Sequence, residues 1–241
     1  SEMCIETDWE PKALAENAKQ CFRGVEIRGD GFILAKEKVA VILERDPSSK
    51  DVIRPFLSGT ELNSLGPKGP GTFIISFGDR SEEEASKYKE CWNIVLNEVK
   101  PTRDAIKTQI HEECFWKFWD KRTKQFNDIK DHAEYLVKTR DSTEWAFAYV
   151  SSEWVLSSKI IIFKDNSLPR FACLQSCFHR IWCENGASTI GRAITYNPTI
   201  GLERFPFPTG FGDSADIAKR YLSSRENLMS TLEAVSYTIS D

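Results

Sequence analysis

Chemistry-bearing residues are sparse in this sequence. It holds three histidines, His111, His132 and His179, so imidazole bases and metal ligands are few. No glycine-rich phosphate loop follows a strand pattern, and no paired-histidine zinc-protease motif occurs. Asn197-Pro198-Thr199-Ile200 lacks the second proline and the aromatic residue of an amino-methyltransferase motif. Neither an adenosylmethionine-binding glycine motif nor a Pro-Asp…Glu-x-Lys nuclease centre is found, so catalysis by this chain alone is not expected. Long apolar runs are absent too: none approaches the ~18 residues needed to cross a bilayer. The start, Ser1-Glu2-Met3-Cys4-Ile5-Glu6, is acidic where a secretory signal is basic and then apolar. A soluble, cytoplasmic protein is expected. Excess positive charge is also missing, with a net charge of −4 and a pI near 5.6, which argues against binding nucleic acid through bulk charge.

What is present is core-forming material: 41% of the residues are hydrophobic and 12% aromatic. The seven cysteines are odd in number and irregular in spacing, which suits free, mostly buried thiols in a reducing compartment. Charge is unevenly distributed. Residues 154–208 hold six basic and three acidic side chains and are the one net-positive stretch, so an anionic ligand is expected to meet that part first.

Along the chain, a helix over 12–20 is followed by short apolar-alternating pieces framed by Gly24, Gly29 and Gly31, which read as a β-hairpin. A helix over 36–45 ends at Asp46-Pro47. Val52 to Gly59 is extended, because the residue before proline is pushed out of the helical region. Leu65 to Gly71 reads as a loop and Phe73-Ile74-Ile75-Ser76-Phe77 as a strand. Ser81 and Glu84 form a capping box that opens a helix running to about Lys100. A long helical pattern continues from Thr102 to about Ile129, with Phe115, Trp116, Phe118, Trp119 and Phe126 on its core face rather than stacked on bases. Strands follow at 135–138, 145–150 and 160–163. A helix over 171–182 ends at Asn185-Gly186, a small-polar loop spans 187–197, Phe205-Pro206-Phe207-Pro208 is a rigid packing tie, and a last helix covers 213 to about 236. The pattern is α+β: a mixed or antiparallel sheet carrying a recognition loop, with a helical middle. Residues 1–65 are an N-terminal α/β portion and 66–241 the main domain, or the two form one continuous domain. Cys173, Cys177, His179 and Cys183 are no zinc site on one intact helix, because at 100° per residue the first two face away from the last two.

Four groups of motifs carry a family resemblance. They are Phe22-Arg23-Gly24-Val25 with Gly29 to Leu34 and Val52 to Asn63; Ile75-Ser76-Phe77-Gly78-Asp79 with Val99 to Asp104; Phe115 to Arg122; and Leu174-Gln175-Ser176-Cys177-Phe178-His179 with Ala187-Ser188-Thr189-Ile190, Thr195-Tyr196-Asn197-Pro198 and Phe205 to Pro208. In this order, over about residues 15–230, the chain resembles the target recognition region of type IIG restriction–modification enzymes of the IIL subgroup. Those enzymes are single chains that fuse nuclease, adenine methyltransferase and recognition domain.

The resemblance implies sequence-specific binding of double-stranded DNA within a restriction–modification DNA (adenine-N6) methyltransferase and endonuclease, a bacterial defence system. The base readers it implies are Thr189, Gly191, Arg192, Ala193, Thr195 and Tyr196. Arg192 is suited to guanine O6 and N7, the threonine hydroxyls to polar edges, and Ala193 to a thymine methyl. Lys159, Arg170 and Arg180 are the implied backbone contacts. Gly191, Ala193 and Thr195 stand where the family is often basic. Asp79 and Arg103 are expected in structural ion pairs or caps. The chain is expected to need no cofactor, with S-adenosylmethionine and magnesium belonging to the methyltransferase and nuclease domains of the parent chain. Two rival readings are a protein-interaction or assembly module, whose binding would ignore changes at Arg192, and an enzyme built on carboxylates such as Asp79 and Glu83.

Overall fold

The computed structural model describes residues 11–64, 69–105, 114–186, 189–190 and 193–238. Its architecture is α+β, as the sequence predicts. One antiparallel sheet has the order β1 (Cys21–Arg23), β9 (Ile160–Phe163), β5 (Glu134–Thr139), β7 (Phe147–Ser151). A second, mixed sheet has the order β2 (Ile33–Ala35), β4 (Thr72–Ile75), β3 (Ile53–Leu57), β8 (Val155–Leu156), with β3 and β8 parallel. A small third sheet joins β10 (Thr189–Ile190), β11 (Ala193–Thr195) and β6 (Asp141–Ser142).

Several strands alternate as their apolar patterns dictate. In β9, Ile160 and Ile162 enter a core with Phe22, Leu57, Val137 and Leu156, while Ile161 and Phe163 enter another with Phe171, Leu174 and Cys183. Both faces of the first sheet are therefore covered, which is why its central strand is apolar throughout rather than alternating with polar groups. A third core, around Phe32, Ile74, Val95, Phe115 and Trp116, seats the mixed sheet.

Helix α1 (Lys36–Arg45) stops before Pro47 as expected. The Ser81–Glu84 capping box is formed, but it opens only α3 (Glu82–Ala85); α4 (Lys89–Glu98) and α5 (Lys100–Asp104) follow as separate pieces. A matching box at Ser58 and Glu61 opens α2 (Gly59–Asn63).

Four expectations are corrected. The helix over 12–20 is a single 3-10 turn at Ala15–Asn17, where buried Asn17 donates to the Phe205 carbonyl at 2.8 Å and so fixes this segment by a tertiary contact. The hairpin near residues 25–34 does not form, because β1 pairs with β9 and β2 with β4. Of the long helix over 102–129, residues 102–104 fall in α5 and 106–113 lie outside the described set; 114–122 is turn and bridge, and α6 (Thr123–Asn127) is helical again. Of its aromatics, Phe115 and Trp116 are buried and Phe118 and Phe126 pack half-buried against two of the cores, while Trp119 is half-buried outside them, with Arg28 4.0 Å from its ring centroid. The helix over 171–182 is two helices, α7 (Leu168–Gln175) and α8 (Cys177–Gly186), divided where Ser176 turns extended. Ser176 Oγ then accepts from the His179 N–H at the start of α8.

The boundary expected near residue 65 is crossed by pairing, since β4 lies between β2 and β3. Residues 65–68 of the expected loop lie outside the described residues. The chain closes with α9 (Pro198–Gly201) and α10 (Ala215–Thr238).

Arg103 is a cap rather than an ion pair. Its buried guanidinium donates to the carbonyls of Arg28 (3.1 Å), Ile27 (2.7 Å), Lys117 (2.7 Å) and Cys114 (3.5 Å), and burial together with Arg28 pulls its pKa down to about 10. Asp79 does form the expected ion pair, with Lys121.

Candidate nucleic-acid interface

Strands β10 and β11 make a short hairpin whose joining residues, Gly191 and Arg192, lie outside the described residues. The hairpin is attached to the body through β6, by the pairs Ile194↔Ser142 and Thr195↔Asp141. One side-chain and one backbone hydrogen bond reinforce that attachment. Thr195 Oγ1 donates to Asp141 Oδ1 at 2.8 Å, and the Tyr196 N–H donates to the Arg140 carbonyl at 2.7 Å.

The Leu174-Gln175-Ser176 motif braces the approach to this sheet. Gln175 donates to the Trp145 carbonyl (2.8 Å) and accepts from the Phe147 N–H (2.9 Å), while Trp145 Nε1 donates to the Leu174 carbonyl (3.1 Å). An amide side chain thus takes the place of a missing strand partner for β7.

Beside the base of the hairpin lies a polar cavity of about 340 Å³, lined by Gly59, Thr60, Asn63, Thr139, Asp141 and Lys159. Helix α2 meets the turn between β8 and β9 so closely that a Cβ on Gly59 would stand 3.1 Å from the Cβ of Lys159. That turn is pinned from three directions: Arg23 Nε donates to the Ser158 carbonyl (2.9 Å), the Ser157 N–H to the Leu57 carbonyl (3.1 Å), and the Arg140 N–H to the Lys159 carbonyl (2.8 Å). Lys159 itself is exposed.

The expected readers divide by position. Thr189 and Ala193 are on the hairpin strands, and Ala193 is half-buried. Thr195 is buried and committed to Asp141. Tyr196 is 1% exposed, with its hydroxyl 3.1 Å from His179 Nε2, so it packs the core and presents no surface to a duplex. Among the expected backbone contacts, Arg170 is a structural tie, bound to Asp165 at 2.9 Å and lying 3.8 Å above the Phe207 ring. Arg180 is exposed on α8 and paired with Glu184. The structure adds Asn63, Arg140 and Asp141 to the neighbourhood of the hairpin. They are distant from it in sequence, and only Asn63 falls in a motif visible beforehand.

Behind the hairpin the core is unusually rich in titratable groups. Burial, with Lys138 and Arg170 adding to it, drops the pKa of His179 to about 3; Cys183 rises to about 12 by burial, and Tyr196 is raised by burial as well. Lys138, buried over the Trp145 ring at 4.9 Å and bonded to the Glu144 carbonyl at 3.2 Å, is lowered to about 8 by burial. His179 and Cys183 meet inside while Cys177 is exposed, so the four-residue zinc arrangement does not assemble. Among the described residues no cluster of three or more His, Cys, Asp or Glu is placed to hold a metal, and no helix is long and apolar enough to cross a membrane. Six described cysteines are free, but only Cys91 and Cys183 are fully buried.

The Phe205-Pro206-Phe207-Pro208 tie packs as expected, with the Phe205 ring 4.5 Å from that of His179 and 4.9 Å from Phe207.

A search of curated proteins finds no match. Among solved structures, the chain resembles one described as the type IIL restriction–modification enzyme MmeI in complex with DNA, with a TM-score of 0.75 at 16% identity. The match covers 91% of this chain but 30% of that one, and at this identity it establishes the fold. The family profile "MmeI, target recognition domain" matches residues 8–209. With most of its length matched, and with its hairpin, braces and aromatic tie in place, the chain belongs to the MmeI target recognition domain family.

Proposed function

We propose that this chain recognises a short double-stranded DNA site, as the specificity element of a longer type IIL restriction–modification enzyme. The observation that carries the reading is the placement of the β10–β11 hairpin, in a chain of the target recognition family. The hairpin is lightly attached, stands beside a polar cavity with an exposed lysine, and lies in the one net-positive stretch of sequence. The readers are Arg192, Thr189 and Ala193 with the backbone at Gly191, and Lys159 and Arg180 contact phosphates. Arg192 is suited to a bidentate contact with guanine, worth about 1–3 kcal/mol of discrimination. Thr195 and Tyr196 support the hairpin from below.

Methylation of adenine N6 and cleavage belong to other domains of the longer enzyme, which hold S-adenosylmethionine and magnesium. This chain supplies specificity without catalysis. Exposed Phe178 and Ile217 line an apolar groove with Trp182, Phe205 and Phe211, and that surface suits protein contact with those domains.

The test is retention of a randomised duplex library at low salt by the wild-type chain and by Arg192→Ala, with folding verified by thermal unfolding. A short enriched site that relaxes in the variant supports the reading. No enrichment by the folded wild-type chain overturns it.

A further inference from the structure

The polar cavity beside the hairpin has an uneven hydrogen-bond ledger. Thr139 Oγ1 is spent on the Gly59 carbonyl (3.3 Å) and Asn63 Oδ1 (2.9 Å). Asn63 Oδ1 also meets Ser142 Oγ at 3.5 Å, so its oxygen is engaged while its amide donors carry no hydrogen bond among the described residues. Asp141 is similarly half-used. Its Oδ1 accepts from Thr195 and faces Arg140 Nε at 3.7 Å, while Oδ2 has no hydrogen bond among the described residues. The Asp141 side chain is 26% exposed, on the cavity wall it shares with Lys159.

A carboxylate is an odd group to hold at a surface that meets phosphates, because it repels them. It is useful there for one purpose. An acceptor-only group attracts an exocyclic amine, cytosine N4 or adenine N6 in the major groove, and repels guanine O6 and N7 and thymine O4. The neighbouring Arg140 and Lys159 offset its charge against the duplex backbone.

We infer that Asp141 is a specificity-determining residue, its Oδ2 accepting from the exocyclic amine of one base of the site while its Oδ1 holds Thr195 and thereby the hairpin. This rests on the DNA-reading proposal above. It deepens that proposal by joining the hairpin's anchor and a base contact in one carboxylate, so that hairpin position and base identity are read together.

The test compares the full chain with Asp141→Asn in the duplex selection. Asparagine keeps the acceptor for Thr195 and adds donors where Oδ2 stood. The expected result is that one position restricted to cytosine or adenine in the wild type admits guanine or thymine in the variant, with relative retention changing by about tenfold, while the other positions stay fixed. A second arm leaves the protein unaltered. Duplexes carrying purine in place of adenine, or pyrimidin-2-one in place of cytosine, lack only the amine and are expected to lose a similar factor at that position. An unchanged site in Asp141→Asn, with Arg192→Ala still altering it, overturns the inference and leaves the hairpin reading standing. A uniform loss at every position reduces Asp141 to a hairpin support and also overturns it. If the folded wild-type chain selects no site, both proposals fall.

Discussion

Acidifying the protein from pH 6.5 to 5 probes the core behind the hairpin. His179 is fully buried there, with Nε2 against the Tyr196 hydroxyl and Nδ1 without a hydrogen bond among the described residues. Burial, aided by Lys138 and Arg170, lowers its pKa from 6.5 to about 3. The sign follows from which state takes the proton first. The unfolded chain protonates as pH drops through about 6.5, while the folded chain resists until about 3. Stability from the neutral ring is thus fully present above 6.5 and is lost below it, at about 1.4 kcal/mol per pH unit. From 6.5 to 5 the loss is about 2 kcal/mol, or a Tm lower by roughly 4–8 °C for a chain of this size. Most carboxylates titrate below this window, so it isolates histidine. The assay is thermal or urea unfolding at several pH values, with wild type beside His179→Gln, whose amide still meets the Tyr196 hydroxyl. The variant is expected to be less stable at neutral pH but flatter between 6.5 and 5. Parallel slopes would refute the argument.

Three further outcomes are expected. Arg103→Met leaves the carbonyls of Ile27, Arg28 and Lys117 without their buried donor and is expected to cost about 3 kcal/mol or more in urea unfolding; a loss below about 1 kcal/mol would show that water replaces it. Gly24→Ala would set a Cβ 2.2 Å from the Leu156 carbonyl oxygen, a backbone atom that cannot swing aside, so the Val25–Leu156 hydrogen bond breaks and the Tm falls by several degrees; wild-type thermal unfolding would contradict this. Lys159→Ala is expected to weaken binding to all duplexes alike and to reduce the slope of log affinity against log salt by about one; an unchanged slope would remove Lys159 from the phosphate contacts.

Much of the secondary structure is legible in the residues because its causes are local. Asp46-Pro47 ends α1, Ser81 and Glu84 cap α3, and the apolar runs at 135–138 and 160–163 are buried strands. What fails is pairing and continuity. Nothing near Phe22 shows that its strand pairs with β9, about 140 residues away, and the helical period across 171–182 hides a break made by the Ser176 hydroxyl.

The candidate site divides the same way. The sequence motifs mark the 187–197 segment and the family, because those residues and their order are the signal. They do not separate Tyr196 from Ala193, neighbours whose fates differ. Tyr196 turns into the core toward His179, while Ala193 stays half-buried on the hairpin, a choice made by packing against Trp145, Phe147 and Phe163.

Sequence alone determined the class of fold, the apolar strands, the capped helix starts, the aromatic tie and the family, since each depends on residue type and local order. Tertiary structure alone decided that Arg170 is bound to Asp165 and Phe207, that Arg103 caps four carbonyls, and that Asn63 and Asp141 share a cavity with Lys159. Those contacts join segments tens of residues apart, and their hydrogen bonds exist only once burial has brought the segments together.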